Sequence, residues 1–232
     1  MPSCIKVLSE ETINKIAAGE VVESPASVVK ELVENSLDAQ AKEIIIEVAA
    51  GGFQLIRISD DGIGMSQDDA VLSLERHATS KVRLVEDLFS IHSMGFRGEA
   101  LASIAAISKL TLLTSEQGAG CKATKVIAEG GRIRFAGEAS RQRGTTIEIA
   151  SLFYTVPARK KFQKSPPQAL ADIHKTVIAL ALARPDIAFK LQSYEESLLQ
   201  TESGSLKKRV EEVLGKEYLD NSMAFVYEES WI

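Results

Sequence analysis

The spacing of apolar positions changes several times along the chain, and each change marks an element. In PASVVKELVENSLD (25–38), Val29, Leu32, Val33 and Leu37 recur at helical spacing and form one apolar face. Ser24 stands where an N-cap is wanted and Pro25 at the first helical position, which predicts a helix from there to about Asp38. TINKIAAGEVV (12–22) predicts a shorter helix before it, broken near Gly19. IIIEVAAGGFQLIRIS (44–59) predicts two strands joined at Gly51-Gly52 as a hairpin. DDGIGM (60–65) follows as a tight, glycine-rich turn, and residues 67–76 as a helix.

From Ala78 to Gly98 the pattern weakens into a long irregular stretch, the kind that in compact domains tends to carry function. EALASIAAIS (99–108) restores helical spacing. Strands are then predicted at 110–115, 122–128, 132–137 and 145–151, the middle two joined at Gly130-Gly131. QALADIHKTVIALALAR (168–184) predicts a long helix closed by Pro185, AFKLQSY and SLLQT a further hairpin, and SLKKRVEEVLG (205–215) a last helix. Helices before and after hairpin-linked strands predict an α+β fold, with helices layered on a mostly antiparallel sheet. SMAFVYEES then starts a strand with no room for partners. The expectation is a chain cut just inside a second domain, with the main domain ending at residue 204.

Composition narrows this only modestly. The 232 residues, 45% hydrophobic, suffice for one large domain or one and a fraction. A net charge of −5 argues against a chain built mainly as a nucleic-acid clamp. Arg141, Arg143, Arg159, Lys160, Lys161 and Lys164 nonetheless leave room for a local basic patch. Cys4 and Cys121 form no CxxC, which suits a reducing intracellular compartment, and His77, His92 and His174 lack zinc-ligand spacing. The longest apolar run, VIALALA (177–183), is too short to span a bilayer. A soluble, cytoplasmic-type protein with no membrane partner is expected.

Candidate chemistry lies on three stretches. Glu31, Asn35 and Asp38 fall within roughly 60° of one another on the helical wheel, opposite the apolar face. Such a stripe suits a solvated face. It also suits a site in which a carboxylate polarises water and an amide oxygen ligates Mg²⁺. In DDGIGM, Gly62 and Gly64 allow close backbone approach, and Asp60 at the strand end can accept a hydrogen bond from an exocyclic amine; a plain turn has the same composition. In GFRGEALASI (95–104), a glycine-flanked Phe-Arg precedes a helix start, where free N–H groups favour an anion or simply form a cap. Thr79, Ser80 and Lys81 of HATSK could reach phosphates or lie in an exposed loop. No GxxxxGK[ST] occurs, and position 67 is Gln, so DGIGM does not extend to GxGxxG.

The order ELVENSLDA, DDGIGM, RHATSK, GFRGEALASI, GTTIEIASLFY and PARKKF closely resembles the MutL family of mismatch-repair proteins, within the GHKL ATPase superfamily. The likeness runs from about residue 5 to beyond 164, and INKIAAGEVVESPASVVKELVENSLDA alone is highly specific. It implies the Bergerat (GHKL) two-layer α/β sandwich on a mixed, mostly antiparallel sheet. It implies ATP and Mg²⁺ as ligands, with Glu31 as general base and Asn35 as the metal ligand. Asp60 would bond the adenine amino group, with Gly62, Gly64 and Thr146 beside it. Thr79, Ser80, Lys81 and the backbone of Gly95, Phe96, Arg97 and Gly98 would close on the phosphates as a lid. Asp38 would tie the helix to a neighbour.

The family resemblance further implies a slowly hydrolysing switch that forms a homodimer on ATP binding. Its partners would be a mismatch-recognition protein of the MutS family, a downstream repair nuclease or helicase, and DNA, bound weakly and without sequence preference. A bacterial protein would lie near the nucleoid and a eukaryotic one in the nucleus. Two departures stand out: Gln40 where many relatives have Gly, and Thr155 where FYNTPAR is commoner. A lysine that the family's second domain gives to the γ-phosphate would lie past residue 232, so weak turnover is expected of this chain. Two other classes fit less well. A topoisomerase subunit with the same ATP fold is disfavoured by GFRGEALASI, and a non-catalytic DNA scaffold by the acidic total.

Overall fold

A computed structural model of the chain describes Ile13, Ala18, residues 22–76, Ala78, residues 99–116 and residues 122–223. Helix α1 (Pro25–Asp38) starts as its sequence predicts. Ser24 and Ser27 form a reciprocal capping box, each side chain accepting from the other's backbone N–H, with Pro25 in the first turn. Val28, Val29, Leu32, Val33 and Leu37 are buried. At its C-terminus Gln40 N–H donates to Leu37 O and Ala41 N–H to Ser36 O, the paired bonds of a Schellman motif. That motif places Gln40 at φ 61°, in the left-handed region, where a side chain costs about 1 kcal/mol. The helix end keeps this geometry with Gln at the left-handed position.

Strands β1 (Glu43–Ala49) and β2 (Leu55–Asp60) form the expected hairpin, joined through a 3₁₀ turn at Ala50–Gly52. Helix α2 (Gln67–Leu72) is shorter than predicted, giving way to turns before Arg76. Helix α3 (Ala100–Ala106) leads into β3 (Lys109–Ser115), β4 (Ala123–Glu129), β5 (Arg132–Ala139) and β6 (Gly144–Ala150). Then come α4 (Pro157–Lys161), α5 (Pro166–Ala183), β7 (Ala188–Ser193), β8 (Glu196–Thr201), α6 (Leu206–Leu214) and α7 (Lys216–Asp220). The five-residue helices α4 and α7 were not predicted, because they are too short to show a period. The break expected at Gly19 lies outside the described residues, as does the strand expected after Ser222 from residue 224 onward. Ile13 and Ala18 are helical.

Among the described residues, eight strands form one mixed sheet, in the order β5-β4-β3-β6-β2-β1-β7-β8, with β1–β7 the parallel pair and the rest antiparallel. Alternation along the strands sends Ile44, Ile46, Ile56, Ile58, Leu110, Leu112, Ile147 and Ile149 into one core with α1, α3 and α5. On the opposite face Arg57 bridges Glu47 at 3.2 Å and Glu148 at 2.9 Å, its register partners on the two flanking strands. These half-exposed pairs leave that face to water and show helices covering one side.

Helix α6 begins at Ser205, the expected domain boundary, and is tied back to the sheet layer by Arg209. That guanidinium is buried and donates to the carbonyls of Ala181, Arg184, Pro185, Ile187 and Glu202, with Phe189 beneath it at 5.7 Å. It satisfies carbonyls at the end of α5 and in the connections flanking β7 and β8 that no ladder reaches.

Candidate functional site

The C-terminal half of α1, the turn after β2 and the start of β6 converge on Asp60. Its carboxylate accepts from Ser36 Oγ at 2.9 Å and from the N–H groups of Gly62 at 2.9 Å and Thr145 at 3.3 Å. Burial raises the Asp60 carboxyl above the ordinary aspartate range, against the opposing effect of these three bonds and of the Arg141 charge. Ser36 Oγ also lies 3.2 Å from Leu32 O, and the Ser36 carbonyl takes the Ala41 bond, so the Schellman end of α1 holds the hydroxyl that orients Asp60.

The turn is held from both sides. Ile63 N–H donates to Ala39 O at 2.9 Å, and Met65 N–H to Thr114 Oγ1 at 3.0 Å. A Cβ on Gly62 would meet Ala39 O at 2.7 Å, and one on Gly64, at φ 72°, would lie 2.0 Å from Ser115 O. Both positions require glycine. Asp61 does something different from its neighbour: its Oδ1 accepts from the N–H groups of Lys42 and Glu43, fixing the entry to β1.

Glu31, Asn35 and Asp38 are all partly exposed on α1, away from its apolar face. The stripe also includes Glu34, which sequence reasoning passed over. Glu34 is buried, and Lys30 lies 3.7 Å from it one turn back, a cation flanking the stripe. Burial raises the Glu34 carboxyl above its usual range; Lys30 opposes the shift, while Glu31 and Asp38 add to it.

Thr146 is not brought to Asp60. Its hydroxyl pairs with Ser59 Oγ at 3.0 Å, and the strand's alternation turns both to the other face. The neighbouring Thr145 takes the position beside Asp60 through its N–H, while its hydroxyl pairs with Thr114 at 3.0 Å. Thr79, Ser80, Lys81, Gly95, Phe96, Arg97 and Gly98 lie outside the described residues.

The expected basic patch is divided. Arg141 Nη2 donates to Asp60 O and Arg143 Nε to Gly62 O, each at 3.1 Å, so both serve the turn. Arg159 reaches Val22 O and Lys164 pairs with Asp172, leaving Lys160 and Lys161 exposed on α4. The Thr155 departure also has an explanation: its hydroxyl donates to Ala106 O at 3.0 Å, closing the end of α3.

A sheet covered on one side by helices, with a glycine-held acidic turn against the end of α1, is the arrangement of the GHKL ATPases. The family described as histidine kinase-, DNA gyrase B- and HSP90-like ATPase matches residues 22–132. A solved structure of the Aquifex aeolicus MutL ATPase domain complexed with ADP superposes with a TM-score of 0.67 at 32% identity, covering 84% of this chain and 70% of that one. The MutL proteins of Geobacter sulfurreducens and Symbiobacterium thermophilum are 50% and 51% identical to it over 216 residues, which is 93% and 92% of this chain and 36% and 34% of theirs. The chain belongs to the MutL family of DNA mismatch repair proteins and corresponds to its ATPase domain. It spans about a third of the length of the curated relatives it matches. Among the described residues, no helix is long and apolar enough to cross a membrane.

Proposed function

We propose that this chain binds ATP with the adenine amino group on Asp60 and hydrolyses it slowly, as the nucleotide-driven switch of DNA mismatch repair. The observation that carries this is the carboxylate of Asp60, half-buried at the sheet end and oriented by Ser36, Gly62 and Thr145. A partly desolvated acceptor fixed by three donors discriminates between an amino group and anything that cannot donate. The ADP held by the Aquifex relative supports the same ligand class here.

Along α1 the base and phosphate ends follow in order. Ser36 marks the Asp60 end, Asn35 is adjacent, and Glu31 lies one turn back, about 6 Å along the axis. Asn35 offers the hard oxygen donor that suits Mg²⁺, an ion usually held by few protein ligands plus phosphate oxygens and water. Bound there, the ion would neutralise phosphate charge. Glu31 accepts the proton of a water whose oxygen attacks the γ-phosphorus, while the bond from that phosphorus to the bridging oxygen breaks and ADP leaves. The segment from Arg76 to Gly98, with Thr79, Ser80, Lys81, Gly95, Phe96, Arg97 and Gly98, closes over the phosphates.

At the level of the whole protein, ATP binding drives homodimerisation. The dimer engages a MutS-family mismatch-recognition protein, a downstream nuclease or helicase and, weakly, DNA. Residues 205 onward begin a second, transducer-like domain. These statements rest on family membership.

Asp60→Asn tests the base site. Asn keeps an acceptor for Gly62 and Thr145, and its amide can donate to Ser36 Oγ, so the fold is retained. The folded carboxyl titrates above its unfolded value, so its ionised form opposes folding as pH rises through that range. Removing the charge should leave the melting temperature at pH 7 unchanged or raised, while ADP affinity by calorimetry falls about 10- to 100-fold. Unchanged affinity would remove Asp60 from the site.

A further inference from the structure

The stretch between β5 and β6 supplies two arginines to the turn that carries Asp60. Arg141 Nη2 donates to Asp60 O and Arg143 Nε to Gly62 O, both at 3.1 Å. The two donors are two residues apart, and so are the two carbonyls, so one extended segment grips one turn at both ends. The opposite side of the turn is held by Ala39 O through the Ile63 N–H. Arg141 is more than a surface cation: one of its terminal nitrogens, Nη1, is buried with no hydrogen-bond partner. Burying a guanidinium nitrogen without a partner is costly, and the hydrogen bond described for Arg141 goes to a backbone carbonyl.

We propose that Arg141 and Arg143 are positioning residues for nucleobase recognition, clamping the Asp60–Gly62 turn so that the Asp60 carboxylate meets the exocyclic amine of the purine. The inference rests on the proposed adenine site and extends it to a segment far away in sequence. Arg141 acts on the backbone of the residue that reads the base. Arg143 holds the glycine whose N–H orients the same carboxylate. The positive charge beside Asp60 also favours its acceptor form, in line with the lowering contribution Arg141 makes at that carboxyl.

The test uses ADP and inosine diphosphate, which carries a 6-oxo group in place of the 6-amino group. Arg141→Gln should weaken ADP binding about tenfold and change inosine diphosphate binding less than about twofold, so the ADP preference collapses. Arg143→Gln, at an exposed side chain whose loss leaves the core intact, should lower that preference about threefold. Lys160→Gln on α4 serves as the control and should alter neither ligand. Equal weakening of both ligands by the arginine variants, or no change in either, would overturn the proposal by reducing the arginines to structural or surface roles. A wild-type chain that binds the two ligands equally would overturn the nucleobase reading itself, and this inference with it.

Discussion

Replacing Glu31 with Ala is expected to lower ATP turnover by about 10²- to 10⁴-fold while leaving ADP affinity within about twofold. The separation follows from where the residue sits. Glu31 is partly exposed on the side of α1 away from Val29, Leu32 and Val33, so its loss opens no cavity. Ala is the better helix former, so α1 persists. The hydrogen bonds that orient Asp60 come from Ser36, Gly62 and Thr145, none of which involves Glu31. Single-turnover hydrolysis beside calorimetric ADP binding separates the two effects. Matched losses in both would make Glu31 a structural residue, a role the geometry gives to buried Glu34 instead.

The second large effect is on stability. Arg209→Ala should destabilise the chain by about 3–5 kcal/mol, since it removes a buried guanidinium that donates to the carbonyls of Ala181, Ile187 and Glu202, while those of Arg184 and Pro185 keep backbone N–H donors. For a chain of this size that corresponds to a fall in melting temperature of about 6–20 °C. Arg209→Lys should recover little of it, because an ammonium cannot reproduce the planar fork that reaches the carbonyls of Ala181, Ile187 and Glu202 together. Thermal melts without nucleotide provide the measurement. A drop below about 2 °C would show that α6 is not anchored through this residue.

Local signals carried much of the fold. Ser24-Pro25 marked the start of α1 to the residue, and Gly51-Gly52 marked the first hairpin. The left-handed position at Gln40 could be suspected from its place just past a helix, because C′ geometry is a local property. Asp60 could be proposed from its place at a strand end before two glycines.

What the sequence concealed was long-range pairing. Ser36 is 24 residues from Asp60, and Thr145 and the two arginines are more than 80 from their partners on the turn. Nothing in RQRG distinguishes side chains that donate to carbonyls from a DNA-facing patch. Thr145 and Thr146 are adjacent and identical, so only strand register decides which lies beside Asp60. Arg209 in SLKKRVEEVLG reads as one more charge on a solvated helix. Its burial depends on carbonyls at the end of α5 and around β7 and β8, which a helical wheel does not contain.

The central claim is that a half-buried carboxylate at residue 60, oriented by three donors, selects adenine by its amino group. The most direct measurement is the equilibrium affinity of the unmodified chain for ADP and for inosine diphosphate under identical salt and Mg²⁺. The geometry at Asp60 predicts a preference for ADP of at least about tenfold, because the 6-oxo group offers the carboxylate no donor. Equal affinities, or a preference for inosine diphosphate, would contradict it.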